Sequence, residues 1–255
     1  LALLLAEPRT LVVADIHLGY EAELIKAGTL IPRTHFKDLT TRFTKICELL
    51  GISHQSPYDR VIVNGDLSHQ FGYLTFRELE ESSALLKYLR DYFGEVILIE
   101  GNHDGSLKPL HNIKENIYSG GSCQLGSYLF IHGDAEPVEL PAEVEVIVIG
   151  HEHPAVGLRD PVTGRVEPYK CYLVGKYENQ HDLIVLPSLN PISAGTDLTQ
   201  EKCLSPLLSE ESLGAFEVYA ISDEGVAFKF GSLQRLIEAG EILGGELAPN
   251  RDRRA

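Results

Sequence analysis

The chain of 255 residues carries 37 acidic and 22 basic side chains, a formal charge of −15 at pH 7. That balance disfavours tight sequence-independent adhesion to nucleic acid, which comes mainly from Lys and Arg neutralising phosphates, so any nucleic-acid contact must be local. With 44% hydrophobic and 23% charged residues, the composition is that of a globule with a sizeable core and excludes intrinsic disorder.

Taken in chain order, the apolar opening 1–6 (LALLLA) is too short for a signal-peptide core or a membrane span, and no other run reaches the roughly 18 apolar residues a span needs. Five β-branched, apolar runs then predict buried strands: 10–14 (TLVVA), 60–64 (RVIVN), 95–99 (EVILI), 127–131 (SYLFI) and 145–149 (EVIVI). Between the first three lie amphipathic stretches of helical length, 33–50 and 73–92, with Leu39, Phe43, Ile46, Leu49 and Leu50 at three- and four-residue spacing. This β-α-β-α-β opening specifies an α/β fold. After Gly150 the pattern turns strand-like, at 166–174, 182–186, 214–221 and 226–230. A second, more antiparallel sheet packed on the first is expected, with helices outside both. One domain over 1–243 and a flexible tail over 244–255 complete the expected organisation.

The four cysteines, Cys47, Cys123, Cys171 and Cys203, form no C-x-x-C pair, so neither a zinc knuckle nor a dithiol centre is expected and a reduced, cytoplasmic protein is the simpler reading. Chemistry concentrates elsewhere. Each of the five early strands ends in a short polar cluster: Asp15-Ile16-His17, Gly65-Asp66-Leu67-Ser68-His69, Gly101-Asn102-His103-Asp104, His132-Gly133-Asp134 and Gly150-His151-Glu152-His153. Six of the ten histidines fall there. Singly, each cluster reads as turn polarity or a helix cap. Together they fit the rule that open α/β sheets bind ligands beyond the carboxyl ends of their strands.

In an extended segment residues i and i+2 project to one side, so Asp15 with His17, and His151 with His153, are each spaced to grip one ion. Imidazole, carboxylate and amide oxygen without thiolate suit borderline or harder divalent ions. Asp66 is the natural carboxylate to bridge two of them, and Gly65, Gly101 and Gly150 allow close backbone approach.

The series D-x-H, G-D-x-x-H, G-N-H-D, H and G-H-x-H resembles the calcineurin-like metallophosphoesterase superfamily, over residues 12–153. The stretches VVADIHLGYE, GDLSHQFG, GNHD, IHGDA, GHEHPA and LPSLNPISAGTDL look like its ICC-like branch, which includes DNA-ligase-associated endonucleases. The resemblance implies a four-layer sandwich of two mixed sheets between helices. It implies one metal held by Asp15, His17, Asp66 and His153 and a second by Asp66, Asn102, His132 and His151. Manganese is the foremost candidate for both, with iron, zinc or nickel as substitutes.

His103 would be catalytic, and His69, which stands where phosphoprotein phosphatases have a carboxylate, would join it. The implied reaction is attack of a metal-activated hydroxide on a phosphodiester of DNA or a nucleotide. The alternatives are a small-molecule phosphodiesterase or phosphomonoesterase and a metal-free scaffold.

Weaker candidates surround this set. Asp104 either orients His103 or caps a helix begun at Gly105, and Asp134 and Glu152 are either solvated rim carboxylates or partners of a ligating imidazole. Asn190 reads as an Asn-Pro turn or a residue beside the site. Arg33, Lys37, Arg42 and Lys45 form a basic helix side, a solvated face or a phosphate rail. His35, His54, His111 and His181 are expected at the surface or half-buried.

Overall fold

The computed structural model describes residues 1–69, 75–104, 117–160, 162–222 and 224–246. Strand β2 (Thr10–Val13) is buried along its whole length, as only a central strand with both faces covered can be. Beside it lie β3 (Tyr58–Asn64) and β4 (Phe93–Ile99), parallel and in register so that Val12, Ile62 and Ile97 fall in one row. β5 (Ile117–Gly120) extends this sheet in parallel, and β1 (Leu3–Leu5) closes its other edge antiparallel to β2. The apolar opening is thus partly an edge strand.

Helices α1 (Tyr20–Lys26), α2 (His35–Leu50) and α3 (Phe76–Tyr92) join the parallel strands. Helix α2 buries Leu39, Phe43 and Cys47, one residue per turn, and stops at Gly51 with φ 67°, a left-handed C-cap that favours glycine. Full burial of Leu39 and Phe43 contributes roughly 1.5–3 kcal/mol each. A capping box starts α3, with Thr75 accepting from the Glu78 N–H and Glu78 accepting from the Thr75 N–H, worth about 1 kcal/mol. Leu85, Leu86 and Leu89 of α3 complete the cluster with α2 and the first sheet. Positions 73 and 74, where this helix was expected to begin, lie outside the described residues.

Among the described residues the second sheet has nine strands: β6 (Ser122–Leu125), β7 (Tyr128–Ile131), β8 (Val146–Ile149), β9 (Pro154–Arg159), β10 (Val166–Tyr177), β11 (His181–Val185), β12 (Thr196–Asp197), β13 (Glu217–Ile221) and β14 (Ala227–Ser232). β7, β8 and β11 run parallel, while β9, β10, β11 and β13 pair antiparallel around the long β10. The sheet is therefore mixed. Its inner face, through Phe130, Val148 and Leu186, packs on Val12, Ala14, Ile62, Ile97 and Ile99 of the first. Outside it lie Leu207, Leu208, Phe216 and α5 (Leu233–Glu246). Helices, two mixed sheets and a further helix stack as four layers, as the sequence led us to expect.

Several boundaries differ. Residues 214–216 close the short helix α4 (Glu210–Leu213) instead of starting a strand, since the Ala215 and Phe216 N–H groups bond back to Ser212 and Leu213. Helix α5 runs to Glu246, so residues 244–246 of the expected tail are helical and 247–255 lie outside the described residues. Buried Asn64 at the end of β3 donates from Nδ2 to Ile131 O at 2.9 Å and Val148 O at 3.1 Å. That bridge fixes the carboxyl ends of β3, β7 and β8 against one another, where the polar clusters follow.

Candidate metal centre

Each cluster leaves its strand through an abrupt change of backbone. Among the described non-glycine residues positive φ occurs at Asp15 (56°), His17 (53°), Asp66 (51°), His151 (64°) and His153 (50°), and otherwise at Glu178 and Asn179. Such conformations cost of order 1–3 kcal/mol each and persist only where surrounding contacts enforce them. The contacts are present: the Asp15 N–H bonds Gly65 O at 3.1 Å, the His17 N–H bonds Asp66 O at 2.9 Å, and the Leu18 N–H bonds Leu67 O at 2.9 Å. Strain concentrated on five candidate ligands indicates loops shaped for the side chains they present. A Cβ on Gly65 would collide with the His132 ring, and one on Gly101 with the Asp66 carboxylate. Both glycines thus serve close approach, as expected.

These loops bring two donor groups together. Asp15, His17 and His153 form the first, and Asp66, His132 and His151 the second, with the donor atoms of each within 4.8 Å of one another. In the first, His17 Nε2 and His153 Nε2 are 3.1 Å apart and Asp15 Oδ2 is 3.6 Å from His153 Nε2. In the second, Asn102 Oδ1 lies 3.0 Å from His132 Nε2 and 3.1 Å from His151 Nδ1. Asp66 Oδ2 stands between the groups, 3.5 Å from His17 Nε2 and 3.4 Å from His132 Nε2. A carboxylate shared in this way is what two neighbouring cations require.

The electrostatics fit divalent cations. Burial raises the Asp15 carboxyl, but His153, His132 and His17 outweigh it and hold the group below its ordinary value. Burial, then His153, pushes His17 down to about 2. Burial also opposes charge on His132, yet the Asp66 hydrogen bond and the nearby Asp15 raise it to about 9. Among the described residues no donor meets buried Asp15 Oδ2, a buried carboxylate oxygen that a cation would satisfy. Around it, Ser188 Oγ donates to Asp15 O at 2.7 Å and the His151 N–H donates to Asp15 Oδ1 at 3.1 Å. Buried Ser188 escaped sequence reasoning, its one trace being the LPSLNP stretch.

His103 is set against the same centre. Its backbone N–H donates to Asp66 Oδ1 at 3.0 Å, and its Nδ1 donates to the His69 carbonyl at 2.6 Å. Because a carbonyl only accepts, Nδ1 carries a proton and Nε2 is the ring nitrogen left to face the centre. His69 stacks on His103 with centroids 5.1 Å apart, lies edge-on to Tyr20, and places Nδ1 3.2 Å from His17 Nδ1. His17, His69 and His103 therefore form a third cluster.

The neighbouring acids behave differently from the expectations. Asp104 does not hold the His103 ring; its carboxylate accepts from the Leu67, Ser68 and Gly101 N–H groups, tying two site loops together, and burial lifts it to about 6. The helix it was expected to cap lies outside the described residues, as does His111. Glu152 is no solvated rim group: fully buried, it accepts from the Leu204 and Ser205 N–H groups at 2.7 and 2.9 Å. Asp134 is exposed. Asn190 is buried, and its Oδ1 accepts from the Ile192 N–H while its own N–H reaches Asp15 O, so turn and site roles coincide. His35, expected at the surface or half-buried, is 1% exposed. Of the basic helix side, Arg33, Lys37 and Lys45 are exposed, whereas Arg42 donates to Leu189 O.

Comparison with known proteins bears on the fold and the family. The crystal structure of Pseudomonas putida nuclease MPE superposes with a TM-score of 0.55 at 19% identity, covering 90% of this chain and 91% of that one. The E. coli phosphoesterase Yfce matches at 14% identity and a TM-score of 0.41, over 88% of this chain and 98% of that one. No curated protein matches by sequence. The family model for calcineurin-like phosphoesterase matches residues 8–155, through all five strand-end clusters. The chain therefore belongs to the calcineurin-like phosphoesterase family, as a hydrolase with a divalent-metal site.

Proposed function

We propose that this protein hydrolyses phosphodiester bonds of DNA or nucleotides with two divalent cations, manganese foremost. The observation that carries the reading is the pair of donor groups joined through Asp66. Asp15, His17, Asp66 and His153 would hold one ion, and Asp66, Asn102, His132 and His151 the other. When bound, the ions supply Lewis acidity toward phosphoryl oxygens and acidify water to near neutral pH.

The chain's own groups do the rest. With Nε2 of His17 turned to Asp66, its Nδ1–H donates to His69 Nδ1, which holds the ring in the tautomer a ligand needs. His103, its Nδ1 fixed on His69 O, directs Nε2 to the phosphoryl group, where as the Nε2–H of an imidazolium it would stabilise negative charge or protonate the leaving oxygen. Such proton delivery is typically worth about 10²- to 10⁴-fold.

His69, the ICC-like motifs and a fold shared with a nuclease support a nucleic-acid substrate. The charge of −15 favours a second reading, a small-molecule diester or monoester, because a long polyanion is repelled away from the centre. Assays of bis-p-nitrophenyl phosphate, its monoester, and labelled single- and double-stranded DNA in manganese separate these readings. Failure to cleave any diester with several metals overturns the proposal.

A further inference from the structure

Ser188, Leu189 and Asn190 are buried and lie along the backbone of residues 14 and 15. The Leu189 N–H donates to Ala14 O at 2.9 Å and the Asn190 N–H to Asp15 O at 3.3 Å, so this short segment braces the turn on which Asp15 takes its positive φ. The brace is itself held from outside the centre. Lys170 on β10 donates to Ser188 O at 2.8 Å and to Asn190 O at 2.6 Å, and Arg42 on α2 donates to Leu189 O at 3.2 Å.

A peptide unit joins the carbonyl of one residue to the N–H of the next, so these contacts fall in series. Lys170 Nζ bonds the carbonyl of the Ser188–Leu189 peptide, the N–H of that peptide bonds Ala14 O, and the N–H of the Ala14–Asp15 peptide bonds Gly65 O at 3.1 Å. The row thus runs from a side chain on the second sheet to the loops of Asp15 and Asp66. A charged donor at its head polarises each bond behind it and strengthens the row. Asn190 O belongs to the peptide of Pro191, which has no N–H to pass the effect on, so at that carbonyl Lys170 acts as a clamp.

We propose that Lys170 is a positioning residue for the cation held by Asp15, acting through residues 188–190 on the Asp15 turn. The inference rests on the metal ligation proposed above. Burial, then Arg42, pushes the Lys170 ammonium down to about 7, while Asp15 draws it up. A neutral amine keeps two N–H groups, one for each carbonyl, so the clamp outlasts loss of the proton and only the polarisation weakens.

Manganese is titrated calorimetrically into metal-stripped wild type, Lys170→Met and Lys170→Arg. His153→Ala, which removes a ligand from the Asp15 ion alone, assigns the two binding events. We expect Lys170→Met to weaken the Asp15 ion roughly 10- to 100-fold and the Asn102 ion less than about threefold. Lys170→Arg, which keeps a cationic donor, should bind the Asp15 ion at least about threefold more tightly than the Met variant does. A mere loss of packing would weaken both ions alike. Lys170→Gln, which loses the charge and the reach, takes the place of Lys170→Met if that variant lacks a cooperative melting transition. Two ions in wild type with the Asp15 ion unchanged in the Met or Gln variant, both ions weakened equally, an Arg variant no better than Met, or failure of both Met and Gln to fold each overturns this inference alone. Fewer than two ions in wild type overturns the proposed function and this inference with it.

Discussion

Glu152 separates two candidate ligands in sequence, and its replacement tests how the centre is held. Its Oε2 accepts from the Leu204 and Ser205 N–H groups, and Ser205 Oγ donates to Gly133 O at 2.6 Å. Residues 203–208 are thereby fastened to the loops of His132 and of His151 and His153. Glu152→Ala leaves both N–H groups without their acceptor, about 1–3 kcal/mol each where water cannot reach them. Part of that is returned, because burial raises the carboxyl above its ordinary value and the alanine removes the buried charge. The net loss is about 2–4 kcal/mol. Glu152→Gln keeps an acceptor oxygen and costs about 1 kcal/mol. Urea denaturation of the metal-stripped protein reads stability, and manganese titration reads affinity, which should fall 10- to 100-fold in the alanine variant as for other residues that support ligands. An alanine variant within about 0.5 kcal/mol of wild type, or a glutamine variant as damaged as alanine, would show that these contacts do not hold the centre.

Other outcomes follow from the same geometry. His103→Ala keeps its metal by elemental analysis yet loses roughly 10²- to 10⁴-fold in diesterase turnover; loss of metal in this variant shows that His103 is a ligand. Gly101→Ala drives a methyl into the Asp66 carboxylate and lowers bound manganese well below wild type, so normal loading contradicts the close approach. Lys170 is pushed down from 10.5 to about 7, so between those values the unfolded chain carries a proton that the folded chain lacks. Stability therefore rises with pH across that window, by at most about 1.4 kcal/mol per unit from this group. Lys170→Met flattens that slope in denaturation curves taken from pH 7 to 10, and an unaltered slope counts against it.

The layers and the place of the chemistry were legible because two signals coincide: β-branched runs that specify buried strands, and polar clusters directly after them. Nothing in residue type announced the positive φ of Asp15, His17 or Asp66, which depends on backbone partners such as Gly65 O and Asp66 O. The roles of Asp104 and Glu152 were hidden for a related reason. Their acceptors meet N–H groups 36 and 53 positions away at Ser68 and Ser205, and a local pattern carries no trace of such closure. Short or interrupted elements were also missed. β1 has 3 residues and α1 has 7, too few to establish a period, and the glycines of α5 mask its apolar face. His35 read as a surface or half-buried residue because burial of an imidazole depends on what packs over it, here Glu21, whose carboxylate takes the His35 backbone N–H.

In the proposed mechanism Asp66 joins two cations into one hydrolytic centre. Metal content and bis-p-nitrophenyl phosphate hydrolysis, measured on the same purified samples of wild type and Asp66→Asn, test it most directly. Two divalent ions per wild-type chain are expected, with activity that tracks their loading, and loss of both in the variant. A fully active Asp66→Asn protein, or a wild-type protein that cleaves the diester after its metal is stripped, would contradict it.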